Sequence, residues 1–209
     1  MTKDERRWTK DQSNLSLVIR PSPLLRNKQL AQPQNIILVG FMASGKSHVG
    51  RVLSRKTGWP LVDADDEIVH RAGKPIHQLF QEQGEAAFRT LESTIITDLC
   101  AGSGRIIAAG GGAFVSLDNR RRMLDSGLVF CLSARPETVY RRVAESSTSD
   151  AAVRPLLAGD NPLERIKTLL AKRSQAYAQA HHTIETDTLT PEQVADCILR
   201  LCHLEVLSD

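Results

Sequence analysis

The stretch Gly40-Phe41-Met42-Ala43-Ser44-Gly45-Lys46-Ser47 limits this chain more than any other, because it fits the pattern G-x-x-x-x-G-K-[ST]. That pattern has a physical meaning in one setting, a loop between a buried strand and a helix, and both neighbours are present. Ile36-Ile37-Leu38-Val39 is a fully apolar run ending at Gly40, as in a strand covered on both faces. Ser47 to Lys56 carries Val49, Val52 and Leu53 at helical spacing. Gly40 lets the chain turn off the strand, and Gly45 lets the backbone approach a phosphate without a side chain in the way. The N–H groups from Ala43, Ser44 and Gly45 through Lys46, Ser47 and His48 then form an anion nest, reinforced by the positive end of the helix. Lys46 brings a point charge to the β- and γ-phosphates. Ser47 offers a hydroxyl to Mg²⁺, a hard cation that prefers oxygen. ATP and Mg²⁺ are the cofactors this predicts. Gly50 lies one turn on, where a small residue lets helix and strand approach.

The remainder of the chain supplies a matching scaffold. Further short apolar runs are Pro60 to Val62, Arg105 to Ala108, Leu128 to Leu132 and His182 to Ile184. Helical segments separate them: Phe80 to Cys100 with a break near Gly84, Pro136 to Val143, and Leu163 to Ala180. A capping box, Thr190-Pro191-Glu192-Gln193, starts the last one. Strands alternating with helices predict an α/β fold of three layers, with about five parallel strands and helices on both faces. The 209 residues fit one domain. We assign it to residues 35–209, behind a polar, proline-punctuated extension over 1–34 that reads as a flexible tail. A net charge of +3 is too mild to argue for nucleic acid and suits a pocket for polyanions. No apolar run reaches the roughly 20 residues of a membrane span, and the mildly basic N-terminus, with a short interrupted apolar stretch and with Asp4, Glu5 and Asp11, does not read as a targeting signal. The four cysteines, Cys100, Cys131, Cys197 and Cys202, have no metal-binding spacing and read as reduced, buried thiols of a cytoplasmic protein.

The phosphate donor leaves the acceptor open. Polar residues at the carboxyl ends of strands are the candidates, since α/β sheets bind ligands there. Asp63-Ala64-Asp65-Asp66 follows the second strand. If that segment stays extended, Asp63 and Asp65 point the same way. One would hold a Mg²⁺-bound water, and the other would orient or deprotonate an acceptor hydroxyl. The bland alternative is a helix cap. Gly110-Gly111-Gly112 follows the third strand and offers backbone to a ligand. Arg89, Arg154 and Arg173 can each fork onto carboxylate or phosphate oxygens. Arg154 lies within residues 146–160, whose composition reads as a mobile lid that closes over ATP and brings charge to the phosphoryl group.

These segments, together with Gly84-Glu85-Ala86-Ala87-Phe88-Arg89 with Glu92, Arg154-Pro155-Leu156-Leu157, and Leu170-Ala171-Lys172-Arg173 with Tyr177, resemble the shikimate kinase family over about residues 35 to 202. The resemblance implies a five-stranded parallel sheet in the nucleoside-monophosphate-kinase style. It implies transfer of the ATP γ-phosphate to the 3-hydroxyl of shikimate, a step of aromatic amino-acid biosynthesis by way of chorismate. It further implies that Asp65 contacts the acceptor hydroxyls, Arg89 and Arg173 hold its carboxylate, and Gly110, Gly111 and Gly112 line the same pocket. Asp63 is expected to support Mg²⁺ through water, and Arg154 to reach ATP from the lid. Lys46, Asp65 and Arg154 are thus the expected catalytic residues. Such a chain is expected to act as a monomer, with no nucleic-acid or membrane partner.

Three positions depart from the family pattern. Ala43 stands where glycine is common and His48 where threonine is common, which predicts a depressed affinity for ATP. Glu185 replaces a common arginine near the adenine and leaves that contact to Arg142. Two rival readings remain. One is a kinase of the same fold acting on another hydroxy acid such as gluconate, which the Asp65, Arg89 and Arg173 set disfavours. The other is a non-catalytic effector-binding module, which an intact Lys46 and Ser47 disfavour. Residues 1–34 are too short for the helix-turn-helix unit such a module would carry.

Overall fold

The computed structural model describes residues 19–21, 34–145 and 161–206. The strands are β1 (Ile19–Pro21), β2 (Asn35–Val39), β3 (Leu61–Asp63), β4 (Arg105–Ala108), β5 (Leu128–Ser133) and β6 (His182–Glu185). The helices are α1 (Lys46–Thr57), α2 (Ala64–Ala72), α3 (Ile76–Ala101), α4 (Leu117–Ser126), α5 (Pro136–Glu145), α6 (Pro162–Tyr177) and α7 (Pro191–Val206). The sheet order is β1-β6-β5-β2-β4-β3, and every pairing from β6 to β3 is parallel. The expected five parallel strands are therefore present. A short antiparallel strand joins them, because Ile19 to Pro21 of the N-terminal extension pair with Ile184 to His182.

Strand alternation builds the three layers. Ile37 and Val39 of β2, with Ile107, Val129 and Cys131, face α2 through α6. Ile36 and Leu38 of the same strand, with Ile106, Leu128, Phe130 and Ile184, face α1 and α7. All of β2 is buried, and each such aliphatic side chain contributes about 1.5–3 kcal/mol. Apolar runs without polar alternation thus mark strands buried on both faces, as the sequence suggested. Gly84 takes φ 79° and ψ 174° inside α3, a left-handed value that glycine adopts without steric cost, and so makes the expected break. Helix α4 and the 3₁₀ turn at Ala113–Val115 were not anticipated. Four charged residues and one asparagine among the first seven positions of α4 hide its apolar face.

The amino ends of the strands are closed by a structural asparagine. Buried Asn35 donates from Nδ2 to Gly102 O at 2.7 Å and Ser126 O at 3.1 Å, and accepts from Arg105 N at 3.2 Å. The carboxyl ends, at the other edge of the sheet, carry the loops in which the polar candidates lie. β2 lies between β4 and β5, and the chain connections on its two sides run in opposite directions, β2 to β3 on one and β4 to β5 on the other, which is where such sheets open a ligand crevice.

Candidate active site

The loop from Gly40 to Gly45 leaves β2 and turns into α1. Its carbonyls are held from within by Lys46, whose Nζ donates to Gly40 O and to Phe41 O, both at 3.0 Å. Gly45 caps α1 at φ 101°, with no side-chain cap and no acidic residue in the first turn. The first N–H groups and the positive helix end therefore face the loop uncompensated, as an anion requires. Burial pushes the Lys46 ammonium down, and the negative charges of Asp65 and Asp63 push it back up. A phosphate arriving there would favour the charged lysine. Gly50 lies against β3, where a Cβ would stand 2.7 Å from Leu61 Cδ1, which accounts for the small residue one turn into the helix.

A cavity of about 700 Å³ opens on one side of this loop, lined by residues 42–49, Arg142, Thr186, Leu189 and Pro191 among others. Arg142 donates to Ala43 O at 3.2 Å and to Thr186 O at 2.7 Å. It thus stands at the cavity, where the sequence placed an adenine-side contact, but its fork is turned onto backbone. His48 is exposed at the rim. Glu185 ends β6, and the lining continues with its neighbour Thr186.

Asp63 and Asp65 do not share an extended segment. Asp63 ends β3 and caps α2, accepting from Asp65 N at 3.1 Å, so Asp65 already lies in the first helical turn. The expectation that the segment stays extended is corrected here, because three acidic residues following the strand favour a helix start. Both carboxylates nevertheless stay near Lys46. Ser47 Oγ donates to Asp63 Oδ2 at 2.8 Å. The Ser47 hydroxyl at the start of α1 and the Asp63 carboxylate at the end of β3 are hard oxygen donors that suit Mg²⁺, which proteins commonly hold with one or two carboxylates plus substrate phosphates. The same aspartate therefore serves as helix cap and as candidate metal support.

The second group of charges gathers on the other side of the loop, around the three glycines. A Cβ at Gly110 would stand 2.6 Å from Asp65 Oδ1, one at Gly111 3.3 Å from Arg173 Nη1, and one at Gly112 2.7 Å from Arg89 Nη1. A methyl group would overlap Asp65 at Gly110 and Arg89 at Gly112 and would crowd Arg173 at Gly111, so the glycine run leaves room for three charged side chains. None of the three has a positive φ, so the reason is room rather than turn geometry. Gly111 also approaches Met42 N and Gly40 O, which puts this group directly against the phosphate loop.

Each charge is held. Arg89 donates to Glu92 Oε2 at 2.8 Å and to Glu85 Oε1 at 3.2 Å, and lies over the Phe88 ring. The Glu92 side chain is 3% exposed, and its partner makes that burial tolerable. Arg173 donates to Gly111 O at 3.0 Å and stacks over Phe41 of the loop. Tyr177, buried, donates to the same carbonyl at 2.5 Å, and burial pushes its phenol up to about 12. Asp65 reaches solvent at the mouth of the site with protein on its other sides. That enclosure and the neighbouring Asp63 raise its carboxyl to about 6, against the pull of Lys46.

The structure thus brings Asp63, Asp65, Arg89, Arg173 and the three glycines to one end of the sheet, beside Lys46 and Ser47. Arg154 and the expected lid, residues 146–160, lie outside the described residues. Glu92 and Tyr177 entered the sequence reading as part of the resemblance, with no role assigned. Their spacing, three residues after Arg89 and four after Arg173, puts each on the helix face of its arginine and could have suggested that role. Thr186, the first residue beyond β6, could have been found from the rule that strand ends at this edge bear ligands. Two of the four cysteines, Cys100 and Cys202, are only partly buried, and burial holds the Cys131 thiol up at about 12.

A parallel sheet with a phosphate loop between its central strand and an uncapped helix, and a second polar pocket beside it, defines a P-loop phosphotransferase. Comparison with known proteins narrows this. The family model described as shikimate kinase matches residues 42–203. The shikimate kinase of Thermodesulfovibrio yellowstonii is 38% identical over 80% of this chain and 94% of its own length. That of Nitrosococcus oceani is 41% identical over 79% of this chain and 85% of its own. Among solved structures, shikimate kinase from Acinetobacter baumannii in complex with shikimate superposes with a TM-score of 0.77 at 35% identity, covering 84% of this chain and 96% of that one. The chain belongs to the shikimate kinase family, and it is a kinase that uses ATP. Among the described residues no helix is long and apolar enough to cross a membrane.

Proposed function

We propose that this chain transfers the γ-phosphate of ATP to the 3-hydroxyl of shikimate, giving shikimate 3-phosphate and ADP, with Mg²⁺, in the cytoplasm and as a monomer. The observation that carries the acceptor is the three-glycine floor, over which Asp65, Arg173 and Arg89 stand in turn, the first two in the field of Lys46. Two guanidinium forks fit the single carboxylate of a small acid. Asp65, ionised above about pH 6, accepts a hydrogen bond from an acceptor hydroxyl and takes its proton as the new P–O bond forms.

Phosphoryl transfer asks for position and charge rather than covalent chemistry. Lys46 and the N–H groups of residues 43–48 bind the β- and γ-phosphates. Ser47 and Asp63 would hold Mg²⁺, which neutralises phosphate charge when bound. Arg89 and Arg173 fix the acceptor so that its hydroxyl faces the donor, and binding in that orientation replaces a collision in solution. Arg154 completes the charge from residues 146–160. The two departures in the loop, Ala43 and His48, lower nucleotide affinity without removing the lysine.

The test is ADP release from ATP and Mg²⁺ with shikimate, with gluconate and with no acceptor, for the native chain and for Asp65→Asn. Turnover that needs shikimate and is lost in the variant supports donor, acceptor and Asp65 together. A folded protein that ignores shikimate and turns over with gluconate would overturn the acceptor assignment.

A further inference from the structure

Ala43 takes φ 56°, and among the described residues it is the only non-glycine with positive φ. An L side chain is disfavoured there, so an alanine left to itself relaxes toward negative φ. Relaxation would turn the 43–44 peptide out of the anion nest. Lys46 holds the carbonyls of Gly40 and Phe41, not those of Ala43 and Ser44. The Ser44 hydroxyl is buried without a hydrogen-bond partner, and the turn bond from Ser44 N to Phe41 O is long at 3.3 Å.

The restraint comes from outside the loop. Thr186 Oγ1 lies 3.3 Å from Ser44 O and 3.1 Å from Ser133 O, and its one proton serves these two carbonyls. The same oxygen accepts from Arg142 Nη1 at 3.2 Å. That nitrogen also donates to Ala43 O, while Nη2 donates to Thr186 O. Thr186 is itself fixed, being 3% exposed and donating its N–H to Ser133 O at 2.8 Å. Two consecutive loop carbonyls are therefore tied to the end of β6 and to α5.

We propose that Thr186, acting with Arg142, is a positioning residue that holds Ala43 in the left-handed conformation, so that nucleotide affinity depends on a threonine outside the phosphate loop. This rests on the reading of the loop as a nucleotide site. A glycine in place of Ala43 would reach the same φ without restraint, and the brace would then matter less. The prediction is non-additivity: two sites in contact couple, whereas independent ones do not.

The experiment is calorimetric titration of Mg·ADP into the full chain carrying Thr186→Val, Thr186→Ser, Ala43→Gly, or Thr186→Val with Ala43→Gly, with the Tm of each. In the native background Thr186→Val should weaken ADP by about fivefold to tenfold, the cost of a lost buried hydrogen bond. Thr186→Ser, which keeps the hydroxyl, should stay within about twofold. In the Ala43→Gly background, Thr186→Val should also cost less than about twofold. An equal penalty in both backgrounds, or none in either, would overturn the brace. A merely structural threonine would lower Tm alike in both without that dependence. A native chain that binds no ADP would refute the nucleotide reading and this inference with it.

Discussion

The two sides of the loop at residues 40–46 are built from opposite materials. On the nucleotide side the binding groups are mostly backbone: N–H groups at the start of an uncapped helix, with one lysine among them. On the proposed acceptor side they are side chains from separate segments, Asp65, Arg89 and Arg173, standing over a floor of glycines, with Glu92 holding Arg89. Backbone can recognise any polyphosphate, because all share the same oxygens. Side chains placed by distant segments can recognise one small acid and reject its neighbours. The loop is the common wall, with Phe41 under Arg173 and Ala43 and Ser44 lining the cavity.

The comparison breaks most severely at Lys46, which is proposed to serve the donor and lies in the field of Asp65. Lys46→Ala should cost about 10³-fold in kcat, the scale of losing one preorganised charge at the transferring group. Shikimate affinity, measured by calorimetry, should change little, and a large loss there would show that the two sides are not separable. Asp65→Asn comes next, with about 10²-fold lost in kcat, the lower end for a general base, and ADP affinity retained.

Asp65 also gives the acceptor side a pH dependence. Its carboxyl is raised from 3.8 to about 6, so the ionised form that accepts a proton is depleted below that value. Plotted against pH, kcat/KM for shikimate should bend down near pH 6, and Asp65→Asn should lack the bend. Stability carries the reverse sign. The folded state holds this proton more tightly than the unfolded chain, so the carboxylate's cost to folding is absent below about pH 3.8, grows as pH rises through about 6 and persists above. Asp65→Asn should therefore gain more in Tm at pH 7.5 than at pH 4 relative to the native chain.

How much could be read from the sequence follows the same division. The nucleotide side was legible because its residues are consecutive, between an apolar run and a helical one. The acceptor side was legible as scattered candidates at strand ends, and only the resemblance joined them, since periodicity does not say that Asp65, Arg89 and Arg173 meet. The three glycines were noticed as an excess over what a turn needs, but their physical reason, space for three charged side chains, needed the fold. Asp63 was read as either cap or site, and it is placed to be both. Ile19 to Pro21 could not be seen as a strand, because three residues in a polar segment carry no period. Thr186 was missed because its partners, Ala43, Ser44 and Arg142, lie far from it along the chain.

Smaller effects sharpen the contrast on the acceptor side. Gly112→Ala puts a methyl group 2.7 Å from Arg89 Nη1, and the guanidinium must swing away from its bond with Glu92. The KM for shikimate should rise about tenfold, equivalent to about 1.4 kcal/mol, with the KM for ATP unchanged. A parallel rise in both would mean that the floor also sets the loop.

The smallest expected effect lies on the nucleotide side, at the capping box that starts α7. Thr190 N donates to Gln193 Oε1 at 2.9 Å, and Gln193 N donates to Thr190 Oγ1 at 3.2 Å. The neighbouring Leu189 and Pro191 line the cavity. Thr190→Ala removes one cap bond and should cost about 1 kcal/mol of stability, a Tm drop of about 2–4 °C for a chain of this length. The cavity wall at this point is apolar side chain, whereas the phosphates are held at α1, so ADP affinity should move by less than about twofold. Shikimate affinity should not move at all, because α7 packs on the sheet face of Ile36 and Leu38 while α2, α3 and α6, which carry the acceptor charges, pack on the other. A change in shikimate binding from a cap this remote would mean that the two faces of the sheet communicate, and the division between backbone and side-chain recognition would have to be redrawn.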